Sequence, residues 1–156
     1  MMVVETELKQ SAIHGIGIFL HEPVARCGLV WRFDSRIDPV YSEEEIAGLP
    51  ERAHDFLRTY STWHDGVKLW VLCGDNGRQF NHSDQPNTIS DGAAFGTDVA
   101  AFDLPAGTEL TSDYRTICDA VRQAGMAFDA YLGPNSLSAR HRSRSPAISL
   151  SPMSSR

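Results

Sequence analysis

Short β-rich runs broken by glycine and proline recur along most of this chain, and they point to a fold of small sheets rather than a helical bundle. Residues 3–10 alternate in part, Ile16-Gly17-Ile18-Phe19-Leu20 is an apolar run closed by Pro23, and Gly28 to Phe33 is a third run ended by the segment Asp34 to Pro39. The period then changes. Ser42 followed by Glu45 fits a capping box, and after Pro50 the residues Ala53, Phe56, Leu57 and Tyr60 recur at helical spacing, which predicts one short and one longer helix over about 42–60. With 156 residues the chain is large enough for one domain with its own core, without disulfides or a structural metal.

From Val67 to Leu72 the pattern returns to strand, with Asp75-Asn76-Gly77 as a turn. The segment Asn81 to Asn87 is too polar and proline-broken for a regular element and reads as a structured loop. Ala93 to Phe102 reads as a strand, Leu104 to Gly107 as a turn, and Glu109 to Tyr114 as a short final strand. Asp119 to Leu132 has a helical stripe interrupted by Gly125, and the Ser/Arg/Pro-rich residues 137–156 read as disordered. Trp31 and Trp70 sit at strand spacing and are expected in the core, whereas Trp63, beside Asp65-Gly66, is expected in a loop facing a ligand.

Charge narrows the partners. Twenty acids against fourteen bases give a net of −6, but Arg140, Arg142, Arg144 and Arg156 lie after Leu137 in a stretch without an acid, so residues 1–136 carry −10. An acidic body disfavours nucleic acid and is compatible with a basic peptide. No stretch approaches the ~18 apolar residues of a membrane span, and Met1 to Glu5 lacks the pattern of a secretory signal, so a cytoplasmic address is expected. Cys27, Cys73 and Cys118 are odd in number and widely spaced, and neither a disulfide framework nor a zinc cluster is expected.

Three segments could carry chemistry: Ile13 to Phe19, Asn81 to Asn87, and Glu109 to Tyr114. Gly15 and Gly17 let backbone approach a ligand closely, yet the third glycine and following helix of a dinucleotide fingerprint are missing, which disfavours phosphate cradling. Asn81 and His82 offer amide and imidazole groups to a polar cofactor or to the loop's own backbone. His82 lacks metal ligands at supporting spacing, and Cys73 lacks a cationic helix terminus to make it a nucleophile.

Taken in order, the segments resemble the SET-domain family of protein-lysine methyltransferases. His14-Gly15-Ile16-Gly17 looks like its first motif, Arg78-Gln79-Phe80-Asn81-His82-Ser83 with Pro86-Asn87 looks like R-F-x-N-H-S-C-x-P-N, and Glu109 to Tyr114 looks like E-L-T-x-D-Y. The resemblance covers about residues 3–118. It implies a mainly β fold of several short sheets with a helical insert and a C-terminal pseudoknot, and transfer of a methyl group from S-adenosylmethionine, without a metal, to a deprotonated lysine amine in a narrow channel. It further implies that Gly15, Ile16, Gly17, Arg78, Phe80, Asn81 and His82 hold the cofactor, that Tyr114 is catalytic, and that Ser112, Tyr114 and Phe128 line the substrate channel. The partner implied is a lysine-bearing protein or peptide. The chain looks like the short stand-alone members of bacteria and some viruses, some of which pair as homodimers.

Departures from the pattern matter. Asp84 and Gln85 stand where many relatives have cysteine and a variable residue, and Gln79 replaces a common phenylalanine. Ser112 stands where many carry Phe or Tyr, which leaves room for two or three methyl groups unless Phe95, Trp70 or another aromatic fills the space. A cysteine-rich zinc segment after the domain is missing. A helical extension over 119–136 is expected in its place, with Phe128 and Tyr131 either walling the channel or packing in the core. The rival reading from another class is a non-catalytic module of the same fold that binds a lysine-bearing peptide. Methylation of a free amine or small molecule is a third.

Overall fold

The computed structural model describes residues 1–119. The expected terminal helix, the disordered tail, Phe128 and Tyr131 lie outside the described residues. In chain order the elements are β1 (Thr6–Gln10), β2 (Ile16–Leu20), β3 (Leu29–Arg32), β4 (Val40–Tyr41), α1 (Glu43–Ala47), α2 (Glu51–Tyr60), β5 (Ser61–His64) and β6 (Leu69–Leu72). After a 3-10 turn at Asn76–Gln79 come β7 (Asn81–His82), β8 (Thr88–Ser90), β9 (Thr97–Ala100), β10 (Thr111–Ser112) and α3 (Tyr114–Ile117). The strands form four small sheets: β1-β2, β3-β9-β8 and β4-β6-β5, all antiparallel, and the parallel pair β10-β7.

The helical insert begins as its sequence predicts. The Ser42 amide donates to Glu45 Oε2 at 2.7 Å and the Glu45 amide donates to Ser42 Oγ at 3.2 Å, so two amide groups at the start of α1 are satisfied reciprocally. Pro50 precedes α2, whose apolar stripe buries Leu57 but leaves Phe56 exposed. Leu57 joins Ile46, Trp70 and Leu72 in one hydrophobic cluster. A separate cluster of Ile18, Leu20, Val30, Phe80, Ala100, Leu104 and Leu110 lies beneath the three motif segments.

Four expectations are corrected. Trp63 lies in β5, opposite Trp70 with ring centroids 5.5 Å apart, and packs on the insert's cluster rather than facing outward from a loop. The strand was hidden because Ser61 follows α2 directly, without a glycine or proline to mark the change. The strand expected from Val67 starts at Leu69, since Val67 and Lys68 form the hairpin turn and Lys68 has φ +57°. Of Ala93 to Phe102, Thr97–Ala100 is strand: the Asp91 carboxylate accepts the amides of Ala93 and Thr97, both at 3.0 Å, which closes a turn between β8 and β9. Within the expected loop from Asn81, the first two residues are strand β7.

Candidate active site

The site is assembled by a pairing of strands far apart in sequence. In the parallel pair, Thr111 sits beside Asn81 and Ser112 beside His82, and the Ser83 amide extends the ladder to the Ser112 carbonyl at 3.0 Å. Asn87 locks it from the side: its Nδ2 donates to the Glu109 carbonyl at 2.7 Å and its Oδ1 accepts the Thr111 amide at 2.8 Å. A single amide side chain thus replaces two ladder partners, as buried backbone polar groups require.

Asn81 ties in the glycine turn. Its Nδ2 donates to the carbonyls of His14 (3.0 Å) and Ile16 (3.3 Å) and to Glu109 Oε1 (2.8 Å). The Ser11 hydroxyl donates to the same carboxylate at 2.7 Å and accepts the amide of Ile13 at 2.8 Å. Gly15 takes φ +49°, a backbone form that side-chain-bearing residues rarely adopt. Gly17 serves close approach instead, since a Cβ there would stand 2.2 Å from Glu109 Oε1.

The final strand stops at Ser112 because Asp113 caps α3, its carboxylate accepting the Arg115 amide at 3.0 Å. Tyr114 therefore opens a short helix rather than ending a strand. Its amide donates to His82 Nδ1 at 3.2 Å, which leaves the imidazole proton on Nε2, 3.5 Å from Asp84. The two rings lie 5.3 Å apart. The phenol hydroxyl donates to the Phe80 carbonyl. Burial, with Tyr60 nearby, pushes the Tyr114 hydroxyl up from its ordinary range, so it is a stable proton donor and a poor base. Arg115 lowers Asp113 through a side-chain hydrogen bond and also pairs with Asp84 at 2.9 Å, joining the loop after β7 to α3.

Two adjoining cavities meet beside these groups. Tyr114, Tyr60, Arg78 and Ser61 line one of about 80 Å³, and Ser112, Ser90, Asp98 and His64 line another of about 60 Å³. Thr62, Cys73, Gly77, Phe80 and Ile117 line both. Ser61 Oγ is buried in the first without a hydrogen-bond partner among the described residues. Burial raises the Cys73 thiol, which argues against a thiolate nucleophile there, and burial lowers His64, which favours its neutral form. Among the described residues no group of three or more His, Cys, Asp or Glu could hold a metal ion.

Comparison with solved structures places this arrangement. An active polycomb repressive complex 2 in the basal state matches with a TM-score of 0.56 at 22% identity, covering 71% of this chain and 15% of that one. The polycomb repressive complex 2 of Chaetomium thermophilum gives a TM-score of 0.57 at 22% identity, with 71% and 15% covered. A putative histone methyltransferase of Plasmodium falciparum gives 0.51 at 18% identity, covering 70% of this chain and 96% of that one. The chain has the SET fold. It spans about 15% of the polycomb chains it matches. No family model matches it, and no curated protein does.

Within the SET fold, the sequence-predicted residues separate into three neighbourhoods. Gly15, Ile16 and Gly17 join Asn81 through its amide and through Glu109. His82, Phe80 and Tyr114 form a second group. Ser112 forms a third: its hydroxyl lies 3.0 Å from that of Thr88 and it lines the smaller cavity. Arg78 donates its Nη1 to the Gly74 and Asp75 carbonyls at the wall of the larger cavity. Phe95 packs against Phe33 and is half exposed, and Trp70 belongs to the insert's cluster, so among the described residues Trp31 and Phe80 are the Phe, Tyr or Trp side chains that line the cavity with Ser112. Sequence reasoning missed Ser11 and Asp98. The signal for Asp98 was an acid in the middle of a strand-like run, where aspartate is disfavoured.

Proposed function

We propose that this chain is an S-adenosylmethionine-dependent protein-lysine N-methyltransferase. The observation that carries the reading is the placing of Asn81 and His82 side by side on β7, the one holding the glycine turn and the other holding Tyr114, whose ring lines the larger of two cavities with a common lining. The residues fit such a cofactor. The turn over 13–16 offers exposed Ile13 and Ile16 and open space at Gly15 to a flat adenosyl group. The Glu109 carboxylate beside the turn suits a cation better than a polyphosphate. When bound, the cofactor supplies a methyl group on a positively charged sulfur.

The chain's own residues then do three things. Asn81 holds the glycine turn, and with it the surface on which the cofactor rests. Tyr114, fixed through its amide and its hydroxyl, presents a ring face to a cationic centre. The cavity walls align amine and methyl, and alignment of this kind is worth up to about 7–11 kcal/mol in intramolecular reactions. Because the Tyr114 hydroxyl keeps its proton, it orients rather than deprotonates the amine. The substrate we propose is a basic, lysine-bearing peptide, in keeping with the acidic body and with the histone methyltransferase among the structural neighbours. Returning the last strand beside β7 would complete the pseudoknot of the fold.

Radiolabelled methyl transfer from S-adenosylmethionine to basic proteins, histones included, tests this reading. Label on lysine is expected with the native chain, falling at least about 100-fold in Tyr114→Phe, the scale seen when a positioned donor is removed from a reaction centre. Cofactor binding with no transfer to any protein would overturn the enzyme in favour of a binding module.

A further inference from the structure

Resting on the reading above, we infer that Asp98 is a specificity residue that pairs with the protonated amine of an incoming lysine side chain in the smaller cavity. Asp98 lies on β9, between Trp31 of β3 and Ser90 of β8, and is partly buried. It is the one carboxylate among the described residues lining that cavity, and His64, the other titratable side chain there besides Cys73, is favoured neutral by burial. No lysine, arginine or amino terminus among the described residues lies within 4 Å of it. The amino terminus favours the ionised carboxylate from beyond that distance, but no cation touches it, and a largely buried carboxylate without a contacting cation is a costly arrangement unless something cationic completes it.

Access and chemistry agree with that occupant. Ala93, Ala94 and Ser90 supply small side chains beside the carboxylate. Burial raises its proton affinity, to a pKa of about 6; the neighbouring Ser90 hydroxyl and the more distant amino terminus favour the ionised form, and Asp91 opposes it. Near neutral pH the group is therefore ionised. The shared lining of Phe80 and Gly77 places an amine held there next to the cavity of Tyr114. An uncharged or acidic side chain would leave the carboxylate without compensation, so the pairing discriminates by substrate charge.

Nuclear magnetic resonance of the full chain, titrated with n-butylammonium chloride and separately with n-butanol, tests the pairing. Saturable shifts at the amides of Ser90, Ala94, Asp98 and Ser112 are expected with the ammonium. Its affinity should fall at least about tenfold in Asp98→Asn, the scale of a lost hydrogen bond to a charged group, while the weak response to n-butanol stays unchanged. Raising salt from about 0.05 to about 0.5 M should weaken the ammonium alone. Equal affinity in native chain and variant, or no saturable shift at these amides, would overturn the inference. Where the variant does not fold, the salt titration of the native chain decides. S-adenosylhomocysteine binding, measured on the same samples, separates the two readings: its absence counts against the methyltransferase, whereas the ammonium titration is scored without it.

Discussion

In the cluster beneath the motif segments Ile18 and Leu110 are at 0%, Leu20 and Leu104 at 1% and Phe80 at 6% exposure, whereas in the cluster of the helical insert Ile46, Leu57, Trp70 and Leu72 keep 3%, 4%, 6% and 8%. Their polar surroundings differ too. Over the first cluster, Asn81, Asn87, Thr88 and Ser112 are hydrogen-bonded. Among the described residues the buried side-chain atoms without partners are His54 Nε2 and Ser61 Oγ in the insert, where Ser61 lines the larger cavity, and Trp31 Nε1 on β3. The contrast teaches that the polar side chains of the motif segments are used to fix backbone, while the insert supplies a cavity wall on which Ser61 keeps spare hydrogen-bonding capacity.

Truncation should expose the contrast most strongly. Leu110→Ala, beneath the final strand, is expected to cost about 4–5 kcal/mol in denaturant unfolding, the upper end for a buried leucine, and Leu57→Ala nearer the lower end, about 2–3 kcal/mol. Equal losses would break the comparison.

Asp98 gives the next largest effect. Its pKa is raised to about 6 from a reference of 3.8, so the folded state holds the proton more tightly than the unfolded chain. Its stabilising contribution is complete below pH 3.8 and is lost as the pH rises through about 6. Asp98→Asn should therefore raise the melting temperature at pH 8 relative to the native chain, by up to about 2–3 kcal/mol in stability terms. The difference should shrink towards pH 4. A variant less stable than native at pH 8 would sink this account of the carboxylate.

The smallest effect belongs to the insert. Ser42→Ala removes the reciprocal cap of α1 and should cost about 1 kcal/mol, read as a shift in unfolding midpoint. Because α1 carries Ile46 and Glu43, and Glu43 accepts the Trp70 indole N–H at 2.6 Å, the loss should loosen the insert's cluster and leave the motif segments unaffected by hydrogen exchange.

Much of the fold was legible because its signals are local. The Ser42–Glu45 cap acts within three residues, the stripe of α2 within one helical repeat, and Gly15 before β2 at one turn. The motif residues Asn81, His82 and Tyr114 could be picked out by type and order, although their roles rest on resemblance. What misled was also local: β5 starts without a breaker after α2, and the Asp91 turn interrupts a run that looks continuous in composition.

The sequence by itself determined where most of the helices and strands lie and which residues have chemistry to offer, because backbone preference, capping and periodicity are settled among near neighbours. Only the tertiary structure decided that β10 returns parallel to β7, that one asparagine amide joins His14, Ile16 and Glu109, and that Asp98 faces a cavity next to that of Tyr114. Those relations span up to 95 residues, from His14 to Glu109. They are selected by burying the common apolar cluster and satisfying its polar groups together, a condition on the whole chain that no local segment expresses.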